Sequence, residues 1–420
     1  MAPLKILISG GGISGNTLAF WLSRLGHNVT VVEWFSCLRI TGLQLDLRGH
    51  GVEVMKRMGL EQAFRSVKAP EQGFEIVDKN GKCQAFFPAN TSGKGVQDFT
   101  TEWEIMRGDL CRMIYNETKD VAKYMFGTSI EEVENNTDAV HVRFTDGRED
   151  EFDLVVGAEG QGSRLRKMMI GEDAESKALT PLGGYVAYFR IPKDMQPGED
   201  FRAKWYLATN SRFVMTRRHN DREMQVYLIC TSRADEIDKS YRRGISEEKK
   251  AYRKVFANAG WKVDEYLEVL EATDDFYCER VSFVRLSPWS QGRIALVGDA
   301  AYCPSVMTGM GTTSAIVGAY ILAGEIGKRC APTKVSTHQD LVDALQAYEK
   351  TYRPFMDQVQ RGLSEGGWAY WPTSSFGIWI VNHLARLAAA LRLNVVGGWF
   401  LREKVDNWQL PTYEVEERSA

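Results

Sequence analysis

Six residues near the amino terminus, Gly10-Gly11-Gly12-Ile13-Ser14-Gly15, carry three glycines in the G-x-G-x-x-G spacing. Gly10 permits a tight turn, Gly12 lets backbone approach a pyrophosphate, and Gly15 lets a helix pack closely on a strand. A helix opening through Ser14 offers free N–H groups and a positive dipole end to phosphates. Glu33 stands 18 residues past Gly15, where a carboxylate accepts hydrogen bonds from ribose hydroxyls and repels a 2′-phosphate. These residues point to FAD or NAD, not NADP, as the bound dinucleotide. A second run, 293–301, reads as a buried strand ending in Gly298-Asp299, with a helix of small residues opening at Gly309-Met310-Gly311-Thr312-Thr313. An acid at a strand's end can hold a ribityl or ribose hydroxyl. Gly309 and Gly311 free the backbone to approach an isoalloxazine ring.

The elements that must position these residues follow from hydrophobic period and turn residues. A strand is expected over 5–9, a helix over 16–25 closed by Gly26, and a strand over 28–32. A hairpin over 74–87 turns at Asn80-Gly81, a helix spans 107–117, and strands at 140–144 and 151–156 flank Asp146-Gly147. The stretch 183–231 is β-rich, and helices follow at 247–257 and 264–271. After a strand at 293–297 come helices at 313–326 and 341–352, the latter ended or kinked at Pro354. Glycine-rich α/β segments thus flank a β-rich middle. This predicts an α/β fold: a Rossmann-type FAD-binding domain with an inserted β-sheet substrate domain and a C-terminal helical segment. The expected parts are 1–73, 101–179 and 278–360 for the FAD-binding domain, 74–100 and 180–277 for the substrate domain, and 361–420 for the C-terminal segment.

Composition limits the alternatives. The chain has 420 residues, 52 basic and 55 acidic, for a formal charge of −3. Binding to nucleic acid is not expected, because phosphate binding shows as an excess of Lys and Arg. Seven scattered cysteines, an odd count with no CxxC, fit reduced thiols in a cytoplasmic protein and support no metal site. No signal peptide is expected. The apolar stretch 376–401 is interrupted by Asn382, His383 and Arg386, so it reads as a packing helix, not a membrane span.

With both motifs in this order, residues 4–360 resemble the single-component FAD-dependent aromatic hydroxylases of the para-hydroxybenzoate hydroxylase fold. The resemblance is nearest to the subgroup of tetracycline-inactivating and natural-product monooxygenases. It extends to Arg39-Ile40-Thr41-Gly42-Leu43-Gln44-Leu45-Asp46-Leu47-Arg48 and to Met106-Arg107-Gly108-Asp109-Leu110. It implies that the first glycine turn and Glu33 hold the ADP half of FAD, and that Asp46 and Arg107 contact FAD. It also implies Arg39 for NADPH, Asp299 at the ribityl chain, and Pro304 and Gly309 to Gly311 beside the ring. Arg48 and Thr312 fall within the same motifs. Two departures stand out. The family's Asp-Gly pair, which serves both cofactors, is Glu159-Gly160 here, and the histidine usual after Gly-Asp-Ala-Ala is Tyr302.

The activity implied is a monooxygenase of secondary metabolism, acting as a monomer or homodimer. NADPH or NADH reduces FAD, O2 adds to form a C4a-hydroperoxide, and an aromatic or polyketide-like small molecule is hydroxylated. The residues leave open a flavin-dependent halogenase of related fold or a non-catalytic FAD-binding protein. Tyr185, Tyr188, Trp205, Tyr206, Phe213, Met215 and Tyr227 are candidates for either pocket lining or sheet core. The aromatic-rich C-terminal segment, with Trp368, Trp371, Trp379 and Trp399, is expected to pack on the FAD-binding domain.

Overall fold

The computed structural model describes residues 3–89, 102–231, 234–333, 337–363, 372–391 and 407–414. Trp368, Trp371 and Trp399 lie outside them.

The first strand, Lys5–Ser9, is apolar on both faces and sits inside a six-stranded sheet. Its neighbours are Leu154–Gly157 on one side and Asn28–Glu33 on the other, both parallel. Ile294–Leu296 and Lys123–Phe126 extend the sheet outward. Burial on both faces explains the near-continuous Val, Ile and Leu of the inner strands Lys5–Ser9 and Leu154–Gly157. Two helices, Ile13–Arg24 and Gly311–Arg329, pack on each other beside this sheet. Their buried faces join the largest apolar core, which includes Ile6, Leu18, Val31, Val156, Leu296 and Ile321. Strand ends at Ser9, Gly157 and Leu296 therefore meet along one edge. In open parallel sheets that edge is where ligands bind.

A second, seven-stranded sheet runs in the order Phe276–Val284, Leu179–Pro192, Glu223–Cys230, Arg212–Arg217, Arg202–Ala208, Gly73–Val77, Cys83–Pro88. One face is covered by the helices Ala234–Ser240, Ile245–Phe256 and Val263–Ala272. The other face is turned toward Leu43 and the helix Ser375–Ala390. The 74–87 hairpin forms one end of this sheet.

Four expectations need correction. The strand expected at 151–156 is two strands, Glu149–Phe152 and Leu154–Gly157, in different sheets. Asp153 breaks them apart, because its carboxylate accepts the Lys5 N–H at 2.7 Å. The helix His338–Val359 does not end at Pro354. Tyr352, Phe355, Met356 and Val359 are buried beyond or beside it, and that burial outweighs the ~3 kcal/mol proline penalty. The substrate sheet runs past residue 277, because Phe276–Val284 pairs along its length with Leu179–Phe189. Finally, the helix Ser375–Ala390 lies on the substrate sheet, not on the FAD-binding domain. Its Ile378, Val381 and Ala385 share one helix face and meet the aromatic cluster of Phe74, Phe87 and Trp205. Residues 407–414 do reach the nucleotide-side core: Trp408 donates its indole N–H to Thr351 O at 3.0 Å, and the Tyr413 hydroxyl donates to Glu325 at 2.8 Å. Among the described residues no helix is long and apolar enough to cross a membrane.

Candidate active site

At the end of the first strand the chain turns through Gly10, whose φ is +109°. A Cβ there would lie 2.6 Å from Ala158 O, and one on Gly15 would lie 1.9 Å from Gly10 O. Both positions therefore exclude any side chain. Gly12 is different: its Cβ would meet only the Arg107 guanidinium, at 3.7 Å. The helix it opens has no side-chain cap and no acid in its first turn. An uncapped N-terminus facing an arginine is a cradle suited to a pyrophosphate. Glu33 closes the turn from the neighbouring strand, accepting Gly11 N–H at 2.8 Å and Phe35 N–H at 3.1 Å.

Gly298 has a φ of +67°, and a Cβ on it would fall 2.0 Å from the Ser14 hydroxyl oxygen. This close approach brings Asp299 beside the first glycine turn, although 284 residues separate Ser14 from Gly298 in the sequence. Asp299 and Glu279 are half-buried, and their carboxyls stand close enough to act on each other electrostatically. Burial pushes the Asp299 carboxyl up to about 6, against the pull of the Cys303 thiol, Arg107 and Arg166. Beyond it, Pro304 is buried, and Ser305 and Gly309 take positive φ of 67° and 63°. The helix Gly311–Arg329 then starts without a side-chain cap or an acid in its first turn, and nothing lies within 4 Å of a Cβ on Gly311. Thr312 is buried in that first turn. A second open helix start thus faces the strand edge.

The remaining candidates divide by what they touch. Arg107 opens the helix Arg107–Asn116 and lies beside Gly12 and Gly42. Arg39 lies over the Tyr277 ring at 4.8 Å and the Phe35 ring at 5.4 Å. Burial and the nearby Arg107 charge lower its pKa. Arg48 is fully buried and pairs with Asp46 at 2.6 Å. The Arg48 backbone N–H donates to the Thr313 hydroxyl at 2.9 Å, which donates back to Arg48 O. This pair ties the Asp46 strand to the second open helix. Glu159 uses both carboxylate oxygens within the protein: one accepts from Ser9 at 2.9 Å, the other from Ser163 at 2.6 Å and Leu165 N–H at 2.9 Å. It therefore supports the start of the helix Arg164–Ile170, whose N-cap is Ser163, the acceptor of Arg166 N–H at 3.1 Å. Tyr302 is buried in the core against Trp289 and accepts the Tyr348 hydroxyl at 3.0 Å.

Sequence reasoning missed three residues here. Arg166 is fully buried, forks onto both oxygens of Glu175, and donates to Ala300 O at 2.9 Å, fixing the backbone next to Asp299. Tyr277 and Glu279 come from the substrate sheet. None sits in a local motif; each acts across a long sequence separation. The aromatic candidates split between faces. Tyr188, Tyr227, Met215, Phe213 and Trp205 lie on the face turned toward Leu43 and the helix Ser375–Ala390, while Tyr185 and Tyr206 pack under the helices of the other face.

Residues 3–361 match the family model described as FAD binding domain. The chain belongs to that family and is a flavin monooxygenase. It is 47% identical to the FAD-dependent monooxygenase asL4 of Sarocladium schorii, over 98% of this chain and 99% of that protein. It is 39% identical to the flavin-dependent monooxygenase eupH of a Phoma species, over 95% of each. Among solved structures it resembles tetracycline destructase Tet(51), with TM-score 0.78, 27% identity, and coverage of 99% of this chain and 100% of that one. The halogenase and non-catalytic alternatives give way to these relatives. FAD fits the chemistry present: an uncapped helix start at Gly12 suits a phosphate, and a carboxylate at Asp299 suits a hydroxyl. No cluster of metal-ligating side chains occurs among the described residues.

Proposed function

We propose that the flavin monooxygenase uses NADPH or NADH to hydroxylate an aromatic or polyketide-like small molecule by the C4a route given above. The observation that carries this reading is the convergence of Gly12, Arg107 and Asp299, with Glu279 of the aromatic sheet face beside them. In this reading the first open helix and Arg107 take the pyrophosphate, Glu33 the ribose, and Asp299 the ribityl hydroxyls. Pro304, Gly309, Gly311 and Thr312 border the flavin ring. Asp46 is held in place by Arg48, and Arg39 faces the incoming nicotinamide nucleotide. Bound FAD supplies the redox and oxygen-transfer chemistry. The protein positions it and keeps water away.

The substrate belongs on the row formed by Tyr277, Tyr188, Tyr227, Met215 and Trp205, which strand register places side by side. Flat apolar rings stack on such a row. The Tyr188 hydroxyl is buried and has no hydrogen-bond partner among the described residues, which makes it the group for a polar substituent. The test is anaerobic bleaching of the flavin band by NADPH and by NADH, with and without a panel of phenols. Bleaching accelerated by a phenol, followed by one 18O atom from 18O2 in the product, supports the reading. A flavin that neither nucleotide bleaches overturns it.

A further inference from the structure

On the same face of the seven-stranded sheet, a second row runs beside the aromatic one: Glu279, Val186, Ile229, Phe213 and Leu207. This row is apolar apart from Glu279, which stands at its head on the edge strand Phe276–Val284. An acid among apolar residues is costly to bury unless something receives it. What lies beside it is the cofactor machinery. The same strand is stitched to the Asp299 segment, because Val284 N–H donates to Cys303 O at 2.9 Å. Gln161 reaches Ser282 O at 3.4 Å from the side of the first sheet. The Tyr277 hydroxyl donates to Glu279 at 3.1 Å, and Arg39 stacks over the Tyr277 ring.

Several elements around Glu279 contribute titratable or charged groups, while the adjoining strand Leu179–Pro192 sets the apolar Val186 directly beside it. Asp299 and Cys303 come from the strand-to-helix junction, Arg39 from the loop after Asn28–Glu33, and Arg107 from its helix start. Tyr277 and Cys278 stand on its own strand, and Tyr241 follows the helix Ala234–Ser240. Burial pushes the thiols and phenols upward. The charged neighbours near neutral pH are therefore Asp299 and the two arginines. Burial and the Asp299 charge push the Glu279 carboxyl up to about 7, against Tyr277, Arg39 and Arg107.

We propose that Glu279 is a cofactor-contact residue: an acid supplied by the substrate sheet that keeps its proton and donates it in a hydrogen bond to bound FAD, while Asp299 stays ionised and accepts. Two neighbouring acids divide the roles of donor and acceptor when their environments differ. They titrate as a pair, and the apparent values belong to both. The assignment rests on the placement of FAD against Gly12, Arg107 and Asp299. It makes FAD affinity depend on pH in two limbs. The acid limb comes from protonation of Asp299, and the alkaline limb from loss of the Glu279 proton.

The experiment is titration of the apoprotein with FAD, read by quenching of flavin fluorescence, from about pH 5 to about pH 9, where linkage makes Kd report proton uptake. The wild-type protein is expected to bind most tightly between about pH 6 and about pH 7, with Kd rising about tenfold by pH 8.5. Glu279→Gln, which keeps a donor and cannot ionise, should lose the alkaline limb alone. Glu279→Ala should bind at least about tenfold more weakly at pH 6.5. A wild-type profile flat from pH 6.5 to pH 8.5, which requires no variant to fold, overturns the proposal. So does an alkaline limb that persists in Glu279→Gln. Failure of the underlying placement reads differently: Gly12→Glu would then bind FAD as the wild type does.

Discussion

Replacing Arg217 with methionine should destabilise the protein strongly, and more so as pH rises. Arg217 projects from the substrate sheet and is almost fully buried, as are its two partners, Glu71 and Glu104. It donates to Glu71 at 2.6 Å and also to Glu104, while Gln44 donates to both acids at 2.8 Å and 2.5 Å. One guanidinium cannot neutralise two carboxylates. Burial accordingly raises Glu71, and raises Glu104 well above the usual carboxylate range, with Arg217 opposing both shifts. Removing the arginine leaves two buried acids without a counter-charge, a loss of about 3–5 kcal/mol. The pH dependence follows from linkage. An acid whose folded pKa lies above its unfolded value gives stability at low pH that is lost as pH rises. The variant must hold both acids neutral where the wild type holds one. Its destabilisation should therefore grow by about 1.4 kcal/mol per pH unit above the unfolded glutamate value near ~4.3. Urea denaturation at pH 6 and pH 7.5, followed by intrinsic fluorescence, reads this as an extra loss of about 2 kcal/mol at the higher pH. Glu104→Gln removes the surplus acid and should stabilise the otherwise wild-type protein at pH 7.5. A loss under about 1 kcal/mol in Arg217→Met, with no pH dependence, would refute the reasoning, because it would place the cluster in water.

Other expectations follow from single contacts. Gly12→Glu leaves the turn geometry intact, since only Arg107 lies near its Cβ, yet sets a carboxylate at the phosphate cradle. FAD affinity should fall by at least about 100-fold without loss of thermal stability. Arg107→Met should weaken FAD binding about 10–100-fold, measured by equilibrium titration, through loss of a charge-assisted contact. Tyr302→His should not raise activity, because that ring is packed in the core against Trp289 and Tyr352. It should lower stability by about 2–4 kcal/mol in chemical denaturation. Ile378→Asp, on the helix face that meets Phe74 and Trp205, should raise KM for the substrate while leaving the flavin spectrum and FAD affinity unchanged. A change in FAD affinity instead would place that helix on the wrong side of the molecule.

Much of the nucleotide side is legible in the sequence because its signals are local. Gly10, Gly12 and Gly15 lie within six residues, although only Gly15 is crowded by a near neighbour in the chain, Gly10 O, while Gly10 is crowded by Ala158. The strand Lys5–Ser9 coincides with its expected bounds, because a run buried on both faces must be apolar throughout. Where an expected strand failed, at 151–156, one side chain decided it: Asp153 looks like an ordinary polar residue until Lys5 N–H is beside it. Glu159 is similar. Its extra methylene is visible in the sequence, but its two hydroxyl partners, Ser9 and Ser163, and its bond from Leu165 N–H are visible only in three dimensions.

The sequence alone determined the first glycine turn, the acid at the end of the neighbouring strand and the glycine-flanked second helix start, because each follows from the covalent spacing of backbone and side chain over a few residues. The tertiary structure decided which charged groups lie together. Gly298 meets Ser14 across 284 residues, Arg39 stacks on Tyr277 from the other sheet, and Glu279 enters as an acid that no motif announces. It also decided which aromatic residues share one face of the second sheet. Alternation along a strand divides side chains between two faces, but only the packing of helices on one face and of the cofactor domain on the other tells them apart. Burial, which raises Glu279 and Asp299 and leaves two acids sharing Arg217, is a property of the assembled fold and has no counterpart in residue spacing.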